Sequence, residues 1–152
     1  MPASLDHEPF APRDDVRVVE VDIPSDVAYI EQVVDLVRHE CEAMSFAPRQ
    51  VMLNVPVALT EALSNAILRG NRDDPAKQVH VRAQVDTREL VLEVGDEGAG
   101  FDLDGKSIDP TTPDNLDRED GRGLFLMRKL MDRVERIDVA HGSVVRMILR
   151  RT

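Results

Sequence analysis

Tryptophan is absent from this chain of 152 residues, and aromatic residues of all kinds make up only 3% of it. With hydrophobic residues at 42%, a core is available, but Leu, Val, Ile, Ala and Met must fill it. There is one cysteine, Cys41, so no internal disulfide can form. No CxxC or Cys/His spacing offers a zinc site either. A lone thiol suits a reducing compartment, and a cytoplasmic location is expected. Basic residues are outnumbered, 19 against 29 acids, leaving a formal charge of −10. Such a surface repels phosphate backbones, which argues against direct nucleic-acid binding and for a protein partner with basic patches. No apolar run is expected to approach the roughly 18 residues of a membrane span, so no membrane association is expected. Residues 1–15 carry four acids and three prolines and no apolar core, unlike a signal peptide. They are expected to form a flexible tail before a single domain over 16–152.

Along that domain, Val16, Val18, Val21 and Ile23 alternate with charged residues and predict a first strand. Pro24-Ser25-Asp26 supplies turn and helix-capping chemistry. Val27, Ile30, Val33, Val34 and Val37 then repeat at helical spacing, predicting a helix to about Met44 that Ala47-Pro48 ends. A second helix is expected from Arg49 to Leu68, buried through Val55, Leu59, Ala62, Leu63, Ala66 and Ile67, with a kink at Pro56. Gly70 closes it. Gln78–Val85 and Glu89–Val94 alternate as two strands. From Gly95 to Gly123 periodicity vanishes and glycines, prolines and acids dominate, the composition of a functional lid. A helix over Leu124–Met131 and a hairpin of Val134–Val139 with Ser143–Leu149 complete the chain. This order predicts an α+β fold: a two-layer α/β sandwich whose sheet is mixed and mostly antiparallel, with helices on one face.

Three short motifs carry candidate chemistry. On the second helix, Glu61 and Asn65 are four residues apart and share one face, where a carboxylate and an amide can activate a nucleophile and hold a hard cation. After a strand, Asp96-Glu97-Gly98-Ala99-Gly100 places a carboxylate that can accept from an exocyclic amine beside glycines that admit a flat ligand. At a helix start, Gly121-Arg122-Gly123-Leu124 exposes backbone N–H groups suited to phosphate. Taken singly, each has an ordinary explanation: a solvated helix face, a strand-ending turn, a tightly packed helix entry. His7, His39, His80 and His141 show no grouping, so no chemistry is assigned to them, and a complete histidine kinase is not expected.

The order and spacing of the three motifs resemble the three-box signature of the gyrase, chaperone, histidine-kinase and mismatch-repair ATPase superfamily (GHKL). Gly121-Arg122-Gly123-Leu124-Phe125-Leu126-Met127 leading to Leu130-Met131-Asp132-Arg133-Val134 resembles its anti-sigma factor serine/threonine kinases in particular. The resemblance implies the Bergerat-type ATPase fold and the substrates ATP and Mg²⁺. It implies that Asn65 holds the metal and that Asp96 reads adenine. Gly98, Gly100, Gly121, Gly123 and Leu124 would shape the lid around the phosphates. Glu61 would be the base for the acceptor hydroxyl, and Arg122 is a candidate to stabilise charge on the transferring group. Ser143 stands where a threonine commonly helps to bind adenine, keeping the hydroxyl; Arg69 stands where histidine is frequent. The implied partners are an anti-anti-sigma (STAS-type) protein, as substrate, and a sigma factor. A homodimer pairing around Val16–Val37 is implied as well. Three other readings compete: a nucleotide-gated binding module without kinase activity, an activating kinase of a stress-signalling complex, and a detached histidine-kinase catalytic domain.

Overall fold

The computed structural model describes residues 16–98 and 124–152. Strand β1, Arg17–Pro24, leads through a turn whose Asp26 carboxylate accepts from the Ala28 N–H at 2.9 Å. A single 3₁₀ turn, Val27–Tyr29, then opens helix α1, Ile30–Ala43. Helix α2 spans Gln50–Gly70. Strands β2, Gln78–Val85, and β3, Glu89–Asp96, form a hairpin. A short helix over 124–130, α3, precedes β4, Arg133–Val139, and β5, Gly142–Arg150. The sheet runs β1-β2-β3-β5-β4, and the expected mixed, mostly antiparallel sheet resolves into four antiparallel pairings among the described residues.

Alternation decides the two faces. Val79, Val81, Ala83 and Val85 of β2 and Leu90, Leu92 and Val94 of β3 are buried on one side, against α1 and α2. On the other side the register aligns Glu20, Arg82, Glu93, Arg146 and Glu135 in one row across all five strands. Opposite charges thus stand beside each other at every step, with ion pairs Arg82–Glu20 at 3.2 Å and Arg146–Glu93 at 2.8 Å. Pairs this exposed add little to stability, but a one-residue slip would break the whole row and turn the apolar set outward.

Helix α2 is irregular at both ends, and it corrects one expectation. Its first turn, Gln50–Asn54, is widened to i→i+5 bonding, with the Val55 N–H reaching the Gln50 carbonyl. Pro56 follows as an early residue of the regular segment Val55–Asn65, so the helical bonding is irregular immediately before the proline at which a kink was expected. A second widened turn, Ala66–Gly70, ends it. The expectation that no run nears a membrane span is corrected: 21 residues with a mean hydropathy of 1.4 in their most apolar stretch are long and apolar enough. The cause is burial on protein. Val51, Val55, Ala58, Leu59, Ala62, Leu63, Ala66 and Ile67 all lie in the core, so apolar residues occupy much of the helix circumference. Leu63 is fully buried. Leu63→Ala is expected to lower unfolding stability by about 2–5 kcal/mol, measured by urea denaturation, because the tightly packed layer cannot collapse into the vacancy. Cys41 is also buried, and burial, aided by Glu40, pushes its thiol up to about 12, which makes it an inert packing group.

Candidate functional site

The end of β3 and the end of α2 meet. Asp96 is opposite Ser143 in the β3–β5 register, and that pairing delivers the serine to the carboxylate. The Ser143 hydroxyl donates to Asp96 Oδ2 at 3.0 Å, its N–H donates to Oδ1 at 3.2 Å, and the Gly98 N–H donates to Oδ1 at 3.0 Å. A carboxylate offers about four acceptor positions, so roughly one remains for an outside donor such as an amine. Ser143, expected to help bind adenine, here donates twice to the carboxylate expected to read it.

Three glycines make this convergence possible. A Cβ on Gly70 would stand 2.2 Å from Asp96 Oδ2, and one on Gly98 would stand 1.8 Å from the Gly70 carbonyl oxygen. Gly142 has φ +138°, and its Cβ would lie 2.0 Å from the Asp96 carbonyl oxygen. The backbone therefore approaches Asp96 at distances that no side chain permits. Beside the carboxylate lies a cavity of about 130 Å³ lined by Arg69, Gly70, Arg72, Asp96, Arg136, Asp138 and Ser143. Arg72 and its neighbour Asp73 hold φ of 52° and 60°, a costly backbone for non-glycine residues and a common mark of functional turns. The larger cavity, about 560 Å³, opens among Glu20, Asp22, His80, Arg82 and Glu93 on the sheet face opposite α1 and α2.

The structure joins some predicted residues and not others. Asp96, Gly98 and Ser143 form one cluster. Glu61 and Asn65 are half-buried on α2, one turn apart, and Asn65 precedes Gly70 by five residues, roughly 7 Å along the helix. Neither lines the cavity at Asp96. Leu124 is half-buried at the start of α3 and packs against the core. Gly100, Gly121, Arg122 and Gly123, and the expected lid between them, lie outside the described residues. Arg69, which stands where histidine is frequent in the resembled family, is on the cavity wall.

Two contributors escaped the sequence reading. Asn71, only 1% exposed, accepts from the Glu97 N–H at 2.7 Å and donates to Ser25 Oγ and the Gln78 carbonyl. Its position directly after the helix-closing Gly70 was the available signal. His80, to which no chemistry was assigned, lies between two carboxylates, Nδ1 at 2.7 Å from Asp22 and Nε2 at 2.5 Å from Glu97. No sequence spacing points to that grouping, because it is made by strand pairing.

Residues 23–149 match the histidine kinase-like ATPase domain. The chain is 31% identical over 134 residues to the serine-protein kinase RsbW of Bacillus subtilis (strain 168), covering 85% of this chain and 82% of that one. It is 31% identical over 100 residues to the anti-sigma F factor of Clostridium acetobutylicum, covering 64% of this chain and 68% of that one. The crystal structure of the RsbU and RsbW domains of Rv1364c from Mycobacterium tuberculosis superposes with a TM-score of 0.63 at 12% identity. That likeness covers 89% of this chain but only 32% of the solved chain, and it bears on the fold alone. An α+β sandwich with a glycine-walled carboxylate at the end of β3, matched over most of its length by these relatives, places the chain in the histidine kinase-like ATPase family, among the anti-sigma factor serine/threonine-protein kinases.

Proposed function

We propose that the chain binds ATP at Asp96, transfers the γ-phosphoryl group to a serine or threonine of an anti-anti-sigma (STAS-type) partner, and sequesters a sigma factor when that partner is absent. The observation that carries this reading is the Asp96 carboxylate, held by Ser143 and Gly98 with room for one more donor and walled by glycines. The adenine amine supplies that donor. The names of the relatives, serine-protein kinase and anti-sigma F factor, support the remainder.

Within this reading Glu61 orients the acceptor hydroxyl and takes its proton. Asn65, one helical turn on, holds Mg²⁺ by its amide oxygen. The donor chemistry suits a hard cation: an amide oxygen at Asn65 with the Glu61 carboxylate one turn away on the same helix. Mg²⁺ needs few protein ligands, since it keeps several waters and takes ligands from phosphate. When bound it neutralises charge between the phosphates. The same reading assigns Gly98, Gly100, Gly121, Gly123 and Leu124 to nucleotide binding and Arg122 to stabilising charge on the transferring group. A charge of −10 favours a basic partner surface. The phosphorylated partner, carrying about −1.5 to −2 extra charge, is then repelled and released. A cytoplasmic homodimer completes the proposal.

Calorimetry tests the nucleotide site. Asp96→Asn is expected to weaken ATP binding by about tenfold or more, the scale of one charged hydrogen bond. GTP should bind poorly, because its exocyclic oxygen opposes the carboxylate. Equal affinity for ATP and GTP would sink the assignment of Asp96. A wild-type protein that binds ATP but labels no anti-anti-sigma partner would favour a nucleotide-gated binding module instead.

A further inference from the structure

Glu97 follows Asp96 directly and is gripped from two sides. Its N–H donates to Asn71 Oδ1 at 2.7 Å, which ties it to the end of α2. Its carboxylate accepts from the Gln78 N–H at 3.0 Å and meets His80 Nε2 at 2.5 Å. The other ring nitrogen of His80 meets Asp22 of β1 at 2.7 Å. One chain of contacts thus runs from β1 across β2 to the residue beside the adenine-reading carboxylate. A doubly protonated imidazole donates to both carboxylates. A neutral ring donates to one and sets a lone pair against the other.

The ionisable groups facing His80 are Asp22 of β1 and Glu97 at the end of β3. Around them, the same side of the sheet carries Glu20, Arg82 and Glu93, with Arg82 engaged by Glu20 and Arg146 by Glu93. The Asp22 hydrogen bond, with a smaller contribution from Glu97, raises His80 above its ordinary 6.5 against the opposing effect of partial burial. The Gln78 N–H and then His80 lower Glu97 below its ordinary 4.5.

We propose that Glu97 and His80 are positioning residues of the nucleotide site, fastening the Asp96–Gly98 turn to β1 and β2 so that ATP affinity depends on the proton held by His80. The proposal rests on the reading of Asp96 as the adenine acceptor. The sign follows from the directions of the two shifts. His80 is raised, so its contribution is complete below 6.5 and fades as pH rises through the higher folded value. Glu97 is lowered, so its contribution is present above 4.5 and fades only as pH falls through the lower folded value. The grip is therefore strongest in mildly acidic solution and weakens on the alkaline side.

The experiment is calorimetric titration of Mg²⁺-ATP into wild type, His80→Gln, Glu97→Gln and Asp96→Asn from about pH 6 to about pH 9. Dividing the wild-type affinity by that of His80→Gln cancels the titration of the nucleotide itself. That ratio is expected to be roughly two- to fivefold larger at the acidic end than at the alkaline end, the scale of a solvent-exposed ion pair. Glu97→Gln should follow the pH profile of His80→Gln, which a merely structural role would not produce. A ratio that does not change with pH, in a protein whose Asp96→Asn variant binds weakly, overturns this proposal and leaves the nucleotide site standing. An Asp96→Asn variant that binds like wild type overturns the site and the proposal with it.

Discussion

Replacing Glu61 by alanine is expected to slow phosphoryl transfer to the partner by roughly 10²–10⁴-fold, the usual contribution of a general base, while leaving ATP affinity near that of the unaltered protein. Glu61 and Asn65 lie one turn apart on the regular part of α2, so in the proposed mechanism they act at the same end of the nucleotide. Their roles nevertheless separate. Transfer of a phosphoryl group depends mostly on positioning and on charge stabilisation. The base acts only on the incoming hydroxyl, so its loss should lower kcat and spare the nucleotide Kd. Asn65→Ala removes the amide proposed to hold Mg²⁺ and should damage both. Sigma-factor binding should survive Glu61→Ala. Single-turnover transfer from labelled ATP, run beside calorimetry, distinguishes these outcomes. Wild-type transfer by the Glu61→Ala protein would remove Glu61 from the mechanism.

The second large effect is expected from a single methyl group at Gly98. A Cβ there would stand 1.8 Å from the Gly70 carbonyl oxygen and 2.6 Å from its carbon, and both of these are backbone atoms that no rotamer change can move aside. The turn must shift, and with it the N–H that Gly98 donates to Asp96. Displacing a reacting assembly by about 1 Å costs on the order of 10²-fold in rate, and Gly98→Ala should lose at least that. Gly95 provides the internal control. Its Cβ would meet Val144 Cγ2 at 3.5 Å, an ordinary contact, so Gly95→Ala should retain activity. Measuring kcat and ATP affinity for the two variants in parallel tests the cradle. A fully active Gly98→Ala protein would mean that the approach of the two backbones is not needed.

Much of this architecture was legible in the sequence for a physical reason. Strand alternation and helical spacing are properties of the chain itself, so β2, β3 and the buried stripe of α2 follow from Val79, Val81, Leu90, Leu92, Leu59 and Leu63 without knowledge of their neighbours. The shared face of Glu61 and Asn65 is likewise a consequence of helical pitch. The order and spacing of the three motifs are properties of the sequence itself, and that pattern was enough to point to the family. Pro56 shows where local reasoning stops: a kink was foreseen, but the widened turn at Gln50–Asn54 that precedes it was not.

What only the tertiary structure decided lies in contacts between distant residues. Asp96 and Ser143 are 47 positions apart, and only the β3–β5 register brings a hydroxyl onto that carboxylate. Asn71 reaches Glu97 across 26 positions, and His80 reaches Asp22 across 58. Gly70 ends a helix as far as its own neighbours are concerned; its second role, leaving room for Asp96, exists only once α2 and β3 are packed. A sequence pattern carries the direction of each side chain relative to its own helix or strand. Which side chains then meet is set by register and by the packing of layers, where one residue of slip would exchange every partner.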